Sequence, residues 1–234
     1  MERTRDCDSA RDHFRGGAGD RAAAHNPARE PDRDLVHGSH DPAGPGAGFR
    51  ILFVCTGNIC RSPLAERLTR AALGPGSPIT VSSAGTHALP GRSMDEGARR
   101  ELIRLGGDSE GFASRPLTSE TVVAADLVLT ASSEHRSHAV ALHPRAAART
   151  FTIAEFGALA RAVPADEVLR HADPVRRAHA LVAEARALRG LVRVEQPDIA
   201  DPYRGSRRAY RAAARRIVES LAAPVALFTR AAAT

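Results

Sequence analysis

The chain has 234 residues and a formal net charge of +6, and all 33 of its basic residues are arginine because the sequence contains no lysine. The absence of lysine excludes a Walker-type phosphate loop, a Schiff-base lysine and a lysine general base. Tryptophan is absent and only 4% of the residues are aromatic, so we expect a core of Leu, Val, Ile and Ala. The length suits one domain with extensions.

The cysteine content and the hydropathy pattern predict a soluble protein of a reducing compartment, which we expect to be the cytoplasm. The three cysteines are too few and too unevenly spaced for a secreted disulfide scaffold. No apolar run approaches the roughly 20 residues that cross a bilayer, and the first residues are charged and lack the apolar core of a signal peptide. The positive charge follows from an arginine-rich composition, so neither nucleic acid nor a membrane is an expected partner.

Residues 1–48 are predicted to be a disordered extension. They contain 7 Arg against 9 Asp and Glu, with frequent Gly, Pro and His and no apolar periodicity. Such a segment cannot bury enough apolar surface to offset its ordering entropy. Cys7 lies in this segment and is expected to be a free, inessential thiol. The domain proper is therefore expected to span residues 49–234.

From Arg50 onward, short apolar runs alternate with helical patterns. This alternation predicts a Rossmann-like, three-layer α/β sandwich around a four-stranded parallel sheet. The predicted strands are residues 51–54, 79–82, 127–129 and 151–153; the predicted helices are residues 62–73, 94–105, 133–142, 154–162, 174–190 and about 206–222. Ligands of such sheets bind beyond the carboxyl ends of the strands, so the loop after the first strand is expected to form the site.

That loop carries the most informative segment of the chain, residues 54–63 with the sequence VCTGNICRSP. Backbone N–H groups of such a loop can form an anion nest, and the following helix N-terminus adds positive potential. The planar guanidinium of Arg61 can hold two phosphate oxygens. The same field favours the thiolate of Cys55, which would be an activated nucleophile facing a phosphate. Taken alone, Cys55 could equally be a small buried residue at a strand end.

The other residues of the loop have supporting roles in this prediction. Gly57 allows unusual backbone angles, the Asn58 side chain can brace the loop, and the Ser62 hydroxyl can hydrogen-bond the thiolate. Ser62 is also the predicted N-cap of the following helix, with Pro63 at the first helical position. Thr56, Ile59 and Cys60 complete the expected substrate-binding surface.

The loop and the Ser-Pro-Leu-Ala-Glu that ends it resemble those of low-molecular-weight protein tyrosine phosphatases. The resemblance extends from about Arg50 to Ala222 and includes residues 82–86 (SSAGT), 125–129 (ADLVL) and 201–203 (DPY). It implies a cysteinyl-phosphate intermediate on Cys55, phosphate binding by Arg61 and general acid–base catalysis by Asp201. It also implies that Cys60 can form a reversible disulfide with Cys55; the alternative is a packing residue.

The chemistry of aryl phosphates supports the role of Asp201 independently. A phenolate leaving group, whose parent acid has a pKa near 10, needs a proton as it departs, and a carboxylic acid on a loop can supply it. Tyr203 would form an aromatic wall against a flat substrate ring. Asp198, three residues earlier, is the alternative acid and otherwise a solvated turn residue.

The sequence departs from the family in its first 48 residues and in the stretch 163–197, which is longer than usual and carries an extra predicted helix. Thr130-Ala131 also replaces a methionine that is frequent in the family.

No metal site is predicted, because no Cys or carboxylate spacing completes one. We expect a solvated helix face for His135, His138 and His143. The arginines of the last helix are expected to form a charged outer face, with attraction to acidic, phosphorylated partners as the alternative; they are Arg207, Arg208, Arg211, Arg215 and Arg216.

Three competing functions remain open. A thioredoxin-linked arsenate reductase needs further downstream cysteines, and none follows Cys60. An arginine phosphatase of the same family tends to carry threonine where this chain has Ile59. A non-catalytic phosphotyrosine-binding or redox module would be expected to lack Cys55, Arg61 or Asp201. The sequence therefore predicts a phosphotyrosine phosphatase without cofactor or metal; by resemblance its partners are phosphotyrosine proteins, such as a bacterial tyrosine kinase of exopolysaccharide or envelope synthesis.

Overall fold

The computed structural model describes residues 48–229, in which four strands form one parallel sheet in the order β2-β1-β3-β4. The strands are β1 (Phe49–Cys55), β2 (Ile79–Gly85), β3 (Leu127–Thr130) and β4 (Thr150–Thr152). The helices are α1 (Arg61–Leu73), α2 (Glu96–Arg104), α3 (Ser119–Ala124), α4 (Ser133–Leu142), α5 (Ile153–Ala162), α6 (Ala165–Leu169), α7 (Pro174–Ala187) and α8 (Arg207–Thr229), with a 3-10 helix at Pro144–Arg149. The predicted four-stranded parallel fold is confirmed. The predicted disordered extension, with Cys7, lies outside the described residues except for Gly48.

The central strand β1 shows why the fold has three layers. Its side chains alternate, so that Phe49, Ile51 and Phe53 enter one core while Leu52 and Val54 enter the other. Helices α1, α2, α5, α7 and α8 contribute to the first core, and α3, α4 and the 3-10 helix to the second. A parallel sheet buried on both faces matches the continuous apolar run from which β1 was predicted.

Two predicted boundaries were wrong, at the start of α1 and at the end of the fourth strand. Helix α1 begins at Arg61 with Cys60 as its N-cap residue, so Ser62 lies inside the first turn and does not cap it. Residue 153, predicted to end the fourth strand, instead begins α5. There the Thr152 hydroxyl accepts a hydrogen bond from the Glu155 N–H, and the Glu155 carboxylate accepts one from the Thr152 N–H. This capping box ends the strand one residue early.

Helix α8 runs seven residues beyond its predicted end and contains Pro224. Leu227 and Phe228 on this extra length are buried, and the Phe228 ring centroid lies 6.4 Å from that of Phe49. Their burial stabilises a continuation that proline disfavours. Helices α3 and α6 and the 3-10 helix were not predicted, because elements of five or six residues are too short for apolar periodicity. No helix within residues 48–229 is both long and apolar enough to cross a membrane.

The longer stretch 163–197 forms α6 and α7 and covers the edge of the sheet. Arg189, just beyond α7, donates a 2.7 Å hydrogen bond to the Thr150 carbonyl of edge strand β4 and a 3.0 Å ion-pair hydrogen bond to Glu155. Its guanidinium carbon also lies 3.9 Å from the centroid of the Phe151 ring. The added segment therefore protects an edge strand of the sheet.

Candidate active site

The loop between β1 and α1 lies at the carboxyl edge of the sheet and is tied to the end of β2. The Thr86 N–H donates a 2.9 Å hydrogen bond to the Cys55 carbonyl, and the His87 N–H donates one of the same length to the Thr56 carbonyl. A Cβ atom on Gly85 would lie only 2.5 Å from the Thr56 carbonyl oxygen. Glycine is therefore required where β2 passes the loop.

Beneath the loop, the Asn58 side chain forms three hydrogen bonds, two of them to distant parts of the chain. Its amide nitrogen donates to the hydroxyls of Ser62 (2.9 Å) and Ser83 (2.8 Å), and its carbonyl oxygen accepts from the Arg115 N–H at 2.9 Å. Asn58 is completely buried and has a φ of 51°, a left-handed conformation that asparagine tolerates better than most residues. The Ser83 hydroxyl in turn donates to the buried carboxylate of Glu66. The loop is thus held by residues of α1, β2 and the segment before α3.

Cys55 is buried at the end of β1, with its sulfur 3.0 Å from the Ser62 hydroxyl oxygen. Because that oxygen already accepts from Asn58, the Ser62 hydroxyl hydrogen can point at the sulfur. The sulfur also lies near the N-terminal end of α1, where the helix dipole is positive. The sulfur thus lies beside a hydroxyl group and at a helix N-terminus, which is a suitable place for a nucleophile that attacks an anion.

Arg61 is 5% exposed and presents its guanidinium to the loop from α1. One terminal nitrogen, Nη1, donates to the Ile199 carbonyl at 2.9 Å, and the other, Nη2, lies 2.9 Å from Oδ2 of Asp201. Its Nε is buried and has no hydrogen-bond partner within the described residues. The Nε–Nη2 edge is the one that can hold two oxygens of an anion, and a carboxylate oxygen already occupies half of it.

These groups open into a cleft of about 420 Å³. Asp201 and Tyr203, from the loop before α8, form part of its wall, and Tyr203 is 45% exposed. Asn58 and Ser62 were grouped with the substrate-binding residues, but their side chains lie beneath the loop and outside the lining. The lining residues are Cys55, Thr56, Gly57, Ile59, Cys60, Arg61, His87, Leu89, Arg92, Asp201, Tyr203 and Arg204.

Asp198, the alternative acid, does not line the cleft. One of its carboxylate oxygens accepts 2.8 Å hydrogen bonds from both the N–H and the hydroxyl of Ser133, at the first residue of α4. Its role is therefore to fix the start of that helix. Asp201, by contrast, faces the cleft, and within residues 48–229 its carboxylate is held by the Tyr203 N–H and by Arg61.

The expectation of a solvated face was wrong for His135, while His138 is exposed as expected. His135 is 5% exposed, and its Nε2 lies 2.9 Å from the hydroxyl of Thr56 in the loop. Its Nδ1 lies 2.6 Å from the hydroxyl of Ser132. Burial, and next the positive charge of Arg61, lower the pKa of His135 to about 4, so the ring is neutral near pH 7. The position of α4 directly after β3 was the available signal, because that helix begins at the same edge of the sheet as the loop.

Cys60 and Tyr210 connect the loop to α2 and α8. Burial raises the pKa of the Cys60 thiol, with nearby Asp95 adding to the effect, so this thiol stays protonated. Cys55 and Cys60 are both free thiols, and their disulfide remains a prediction. Burial also raises the pKa of Tyr210, which hydrogen-bonds Asp95, and the Asp95 N–H donates to the Ile59 carbonyl at 2.9 Å.

Sequence reasoning missed four residues of the cleft, His87, Leu89, Arg92 and Arg204. Three of them lie on the loop after β2, and the position of that loop at a strand end was the signal that could have found them. Within residues 48–229, no group of three or more His, Cys, Asp or Glu side chains is placed to hold a metal ion.

The chain is similar in sequence and in structure to known phosphatases. The family model "Low molecular weight phosphotyrosine protein phosphatase" matches residues 50–187. The low molecular weight protein-tyrosine-phosphatase Etp of Escherichia coli K12 is 42% identical over 106 residues, which are 45% of this chain and 70% of Etp. Among solved structures, the YwlE arginine phosphatase of Geobacillus stearothermophilus superposes with a TM-score of 0.56 at 29% identity, covering 76% of this chain and 90% of that one. The Erwinia amylovora tyrosine phosphatase AmsI gives 0.57 at 26% identity, covering 77% and 93%.

Proposed function

Because this chain belongs to the low molecular weight phosphotyrosine protein phosphatase family, we propose that it hydrolyses phosphotyrosine in proteins through a cysteinyl-phosphate intermediate. One observation carries the proposal: a single cleft holds the Cys55 thiol, the Arg61 guanidinium with its unpartnered Nε, and the Asp201 carboxylate. These are a nucleophile, an anion-binding group and a proton donor, the three parts that the hydrolysis of an aryl phosphate requires.

Substrate binding begins with an exchange of partners on Arg61. The phosphate is held by the N–H groups of the loop and by the Nε–Nη2 edge of Arg61, where one of its oxygens replaces the Asp201 carboxylate. The exchange releases Asp201 to face the ester oxygen of the substrate. It also fixes the phosphorus atom over the sulfur of Cys55, so that attack is in line with the leaving group.

In the first chemical step, the Cys55 thiolate forms a bond to phosphorus and the bond from phosphorus to the tyrosine oxygen breaks. Protonated Asp201 gives its proton to that oxygen, and tyrosine leaves as a neutral phenol. Arg61 and the loop N–H groups stabilise the charge that spreads over the three equatorial oxygens. Tyr203, exposed on the cleft wall, can stack on the substrate ring.

In the second step, water attacks the phosphorus of the cysteinyl phosphate and inorganic phosphate forms. The Asp201 carboxylate takes a proton from this water, which restores its acid form for the next cycle. The Cys55 thiolate is the leaving group, and the Ser62 hydroxyl, 3.0 Å from the sulfur, stabilises its charge.

Protein phosphoarginine is the second candidate substrate, favoured by the structural similarity to an arginine phosphatase. Ile59 argues against it, because this half-buried apolar side chain lines the cleft where arginine phosphatases of the family tend to carry threonine. An apolar group suits a phenyl ring better than it suits a guanidinium. The exposed Tyr203 on the same cleft favours an aromatic substrate as well.

The test compares hydrolysis of a phosphotyrosine peptide and of a phosphoarginine peptide at about pH 6 in EDTA. We expect turnover of phosphotyrosine in wild type, a loss of at least about 10³-fold in Cys55→Ser and a loss of roughly 10²–10⁴-fold in Asp201→Asn. Asp198→Asn is the matched control, because it removes a carboxylate three residues away that lies outside the cleft. If the protein hydrolyses only the phosphoarginine peptide, the proposed substrate is wrong, but the proposed cysteinyl-phosphate mechanism still applies.

We further propose, from family resemblance alone, that the physiological substrates include a bacterial tyrosine kinase of exopolysaccharide or envelope synthesis, and that the protein acts in the cytoplasm. Autophosphorylation of such a kinase supplies phosphotyrosine, and a reducing compartment keeps the Cys55 thiol active. Incubation of the protein with an autophosphorylated kinase, followed by detection with an antibody against phosphotyrosine, tests the first point.

A further inference from the structure

The cleft carries more positive charge than Arg61 alone supplies. Its charged lining consists of three arginines and one carboxylate, and that carboxylate, Asp201, is paired with Arg61. Arg92 and Arg204 are both exposed at the cleft. Neither guanidinium has a carboxylate partner among the described residues. Two unneutralised guanidinium groups therefore stand at the entrance, on two different loops.

Arg92 is held in place by its backbone. Its N–H donates a 3.0 Å hydrogen bond to the hydroxyl of Ser114, and its carbonyl accepts from the Ser114 N–H at 2.8 Å. The N–H of Gly91 donates to the Ser114 carbonyl at 2.8 Å. Because Ser114 is 3% exposed, these bonds attach the loop to the protein interior and give the Arg92 side chain a fixed origin.

Arg204 is held in a backbone conformation that costs energy. Its φ is 58°, and within the described residues the only other non-glycine residue with positive φ is Asn58 in the phosphate-binding loop. Unlike asparagine, arginine has no local hydrogen bond that compensates for this conformation. Strained residues of this kind concentrate at functional sites. The guanidinium of Arg204 lies 5.3 Å from the ring centroid of Tyr203, beside the position expected for the substrate ring.

We propose that Arg92 and Arg204 bind Asp or Glu side chains that neighbour the phosphotyrosine, so that the preferred substrates are acidic phosphotyrosine segments. This inference rests on the proposed function, because it places phosphotyrosine in the cleft. An extended peptide advances about 3.3 Å per residue, so side chains one to three positions from the phosphotyrosine reach the entrance of a cleft of this size. Carboxylates there form charge-assisted hydrogen bonds with guanidinium groups.

The inference also gives a role to the arginines of α8. Five of them were expected to form a charged outer face, and four are exposed: Arg207, Arg208, Arg211 and Arg215. Arg211 is paired with Glu101 and Arg215 with Glu219. Arg207 and Arg208, at the start of α8, extend the positive potential from Arg204 onto the helix and can raise the association rate of an acidic segment. Contact specificity is assigned to Arg92 and Arg204, since those two line the cleft.

The experiment uses two peptides with the same phosphotyrosine, one with Glu and one with Gln at two positions on each side. The measured quantity is the ratio of their kcat/KM values. For the full-length wild type at about 20 mM NaCl, we expect a ratio of about 5 to 20 in favour of Glu, falling towards about 2 at 300 mM because salt screens exposed charges. Arg92→Gln and Arg204→Asn should each lower the low-salt ratio by about 2- to 5-fold. Asparagine is chosen for residue 204 because it accepts positive φ.

Arg176→Gln on α7 is the matched control, because it removes an exposed arginine that does not line the cleft. Its ratio should equal that of wild type. Equal turnover of the two peptides by wild type would overturn the inference and leave the proposed function intact. A Glu preference that survives in both Arg92→Gln and Arg204→Asn would also overturn it. If wild type hydrolyses neither peptide, the proposed function fails and the inference fails with it.

Discussion

The loop between β1 and α1 and the layer of helices α5, α7 and α8 are held in place by opposite means. In the loop, side-chain hydrogen bonds from distant segments meet on Asn58, Ser62 and Thr56. In the helix layer, apolar side-chain packing and the close approach of the helix backbones hold the helices together. A Cβ atom on Gly157 of α5, for example, would lie 2.2 Å from the Ser220 carbonyl oxygen of α8.

This difference predicts different consequences of mutation. A polar network fixes positions to within a few tenths of an ångström, and catalysis depends on that accuracy. An apolar layer contributes mainly free energy of folding, and it tolerates exchanges that conserve volume. We therefore expect changes in the loop to affect turnover first and changes in the helix layer to affect stability first.

The largest expected effect is on the loop. Asn58→Gly keeps a residue that adopts the left-handed backbone but removes all three side-chain hydrogen bonds. We expect kcat/KM for an aryl phosphate to fall by about 10²- to 10³-fold, because the loop N–H groups and Ser62 lose their fixed positions. The measurement is steady-state kinetics on protein whose folding is verified by circular dichroism.

Asn58→Ala is the companion variant, since it removes the same hydrogen bonds and adds backbone strain at a φ of 51°. If the side chain matters for turnover, both variants lose activity, and Asn58→Ala is also less stable than Asn58→Gly. Near-normal activity of Asn58→Gly beside an inactive Asn58→Ala would show that the backbone conformation alone organises the loop, contrary to our expectation.

The next effect is on the helix layer, in Gly157→Ala. On helix propensity alone this change would stabilise the protein by up to about 1 kcal/mol. The contact with the backbone of Ser220 instead requires α5 and α8 to move apart, so we expect a destabilisation of about 2–3 kcal/mol. The sign of the change in the free energy of unfolding, measured in urea, decides between these two effects.

Turnover per folded molecule should change little in Gly157→Ala. Ser220 lies 13 residues beyond Arg207, the first residue of α8, so at 1.5 Å per residue it is roughly 20 Å from the end of the helix near Asp201. A loss of kcat comparable to that of Asn58→Gly would contradict the distinction between the two regions.

The same distinction explains how much the sequence could predict. The loop, its helix and the four strands were predictable because residue type and order alone define them: an apolar run, then VCTGNICRSP, then a helical pattern. The helix bounds at 133–142 were also predicted as the structure has them. Local chemistry encodes these elements, so no knowledge of distant contacts was needed.

Features that depend on distant partners were not predictable in this way. His135 is buried because α4 packs against the loop. The hydrogen bond between them joins His135 to Thr56, which is 79 positions earlier in the sequence. The positive φ of Arg204 was not predicted either; it lies in the local turn from Pro202 to Gly205, and arginine gives no signal for it. The length of α8 followed from contacts of Leu227 and Phe228 that override a proline.

At pH 7.5 the smallest effect is expected at His135, which joins the two regions because it is buried like a core residue and hydrogen-bonded like a loop residue. Its pKa is about 4 in the folded protein, against 6.5 for an ordinary histidine. Below pH 6.5 the unfolded chain therefore binds a proton that the folded protein does not, and the free energy of unfolding falls as the pH falls towards 4. The slope from this residue approaches about 1.4 kcal/mol per pH unit inside that window.

In His135→Gln, the amide can still reach the Thr56 hydroxyl but cannot titrate. We expect the variant to be about 1 kcal/mol less stable than wild type at pH 7.5, because one of the two hydrogen bonds of the ring is lost. The difference should shrink and then reverse between pH 6.5 and 4.5, because wild type loses up to about 1.4 kcal/mol per pH unit in this window and the variant does not. The effects of Arg61, Glu134, Asp198 and Asp201 are common to both proteins. Urea unfolding of the two proteins at pH 7.5, 6.5, 5.5 and 4.5 measures this. A difference that stays constant over the series would show that His135 does not carry the shift, and that its burial is matched by a compensating charge.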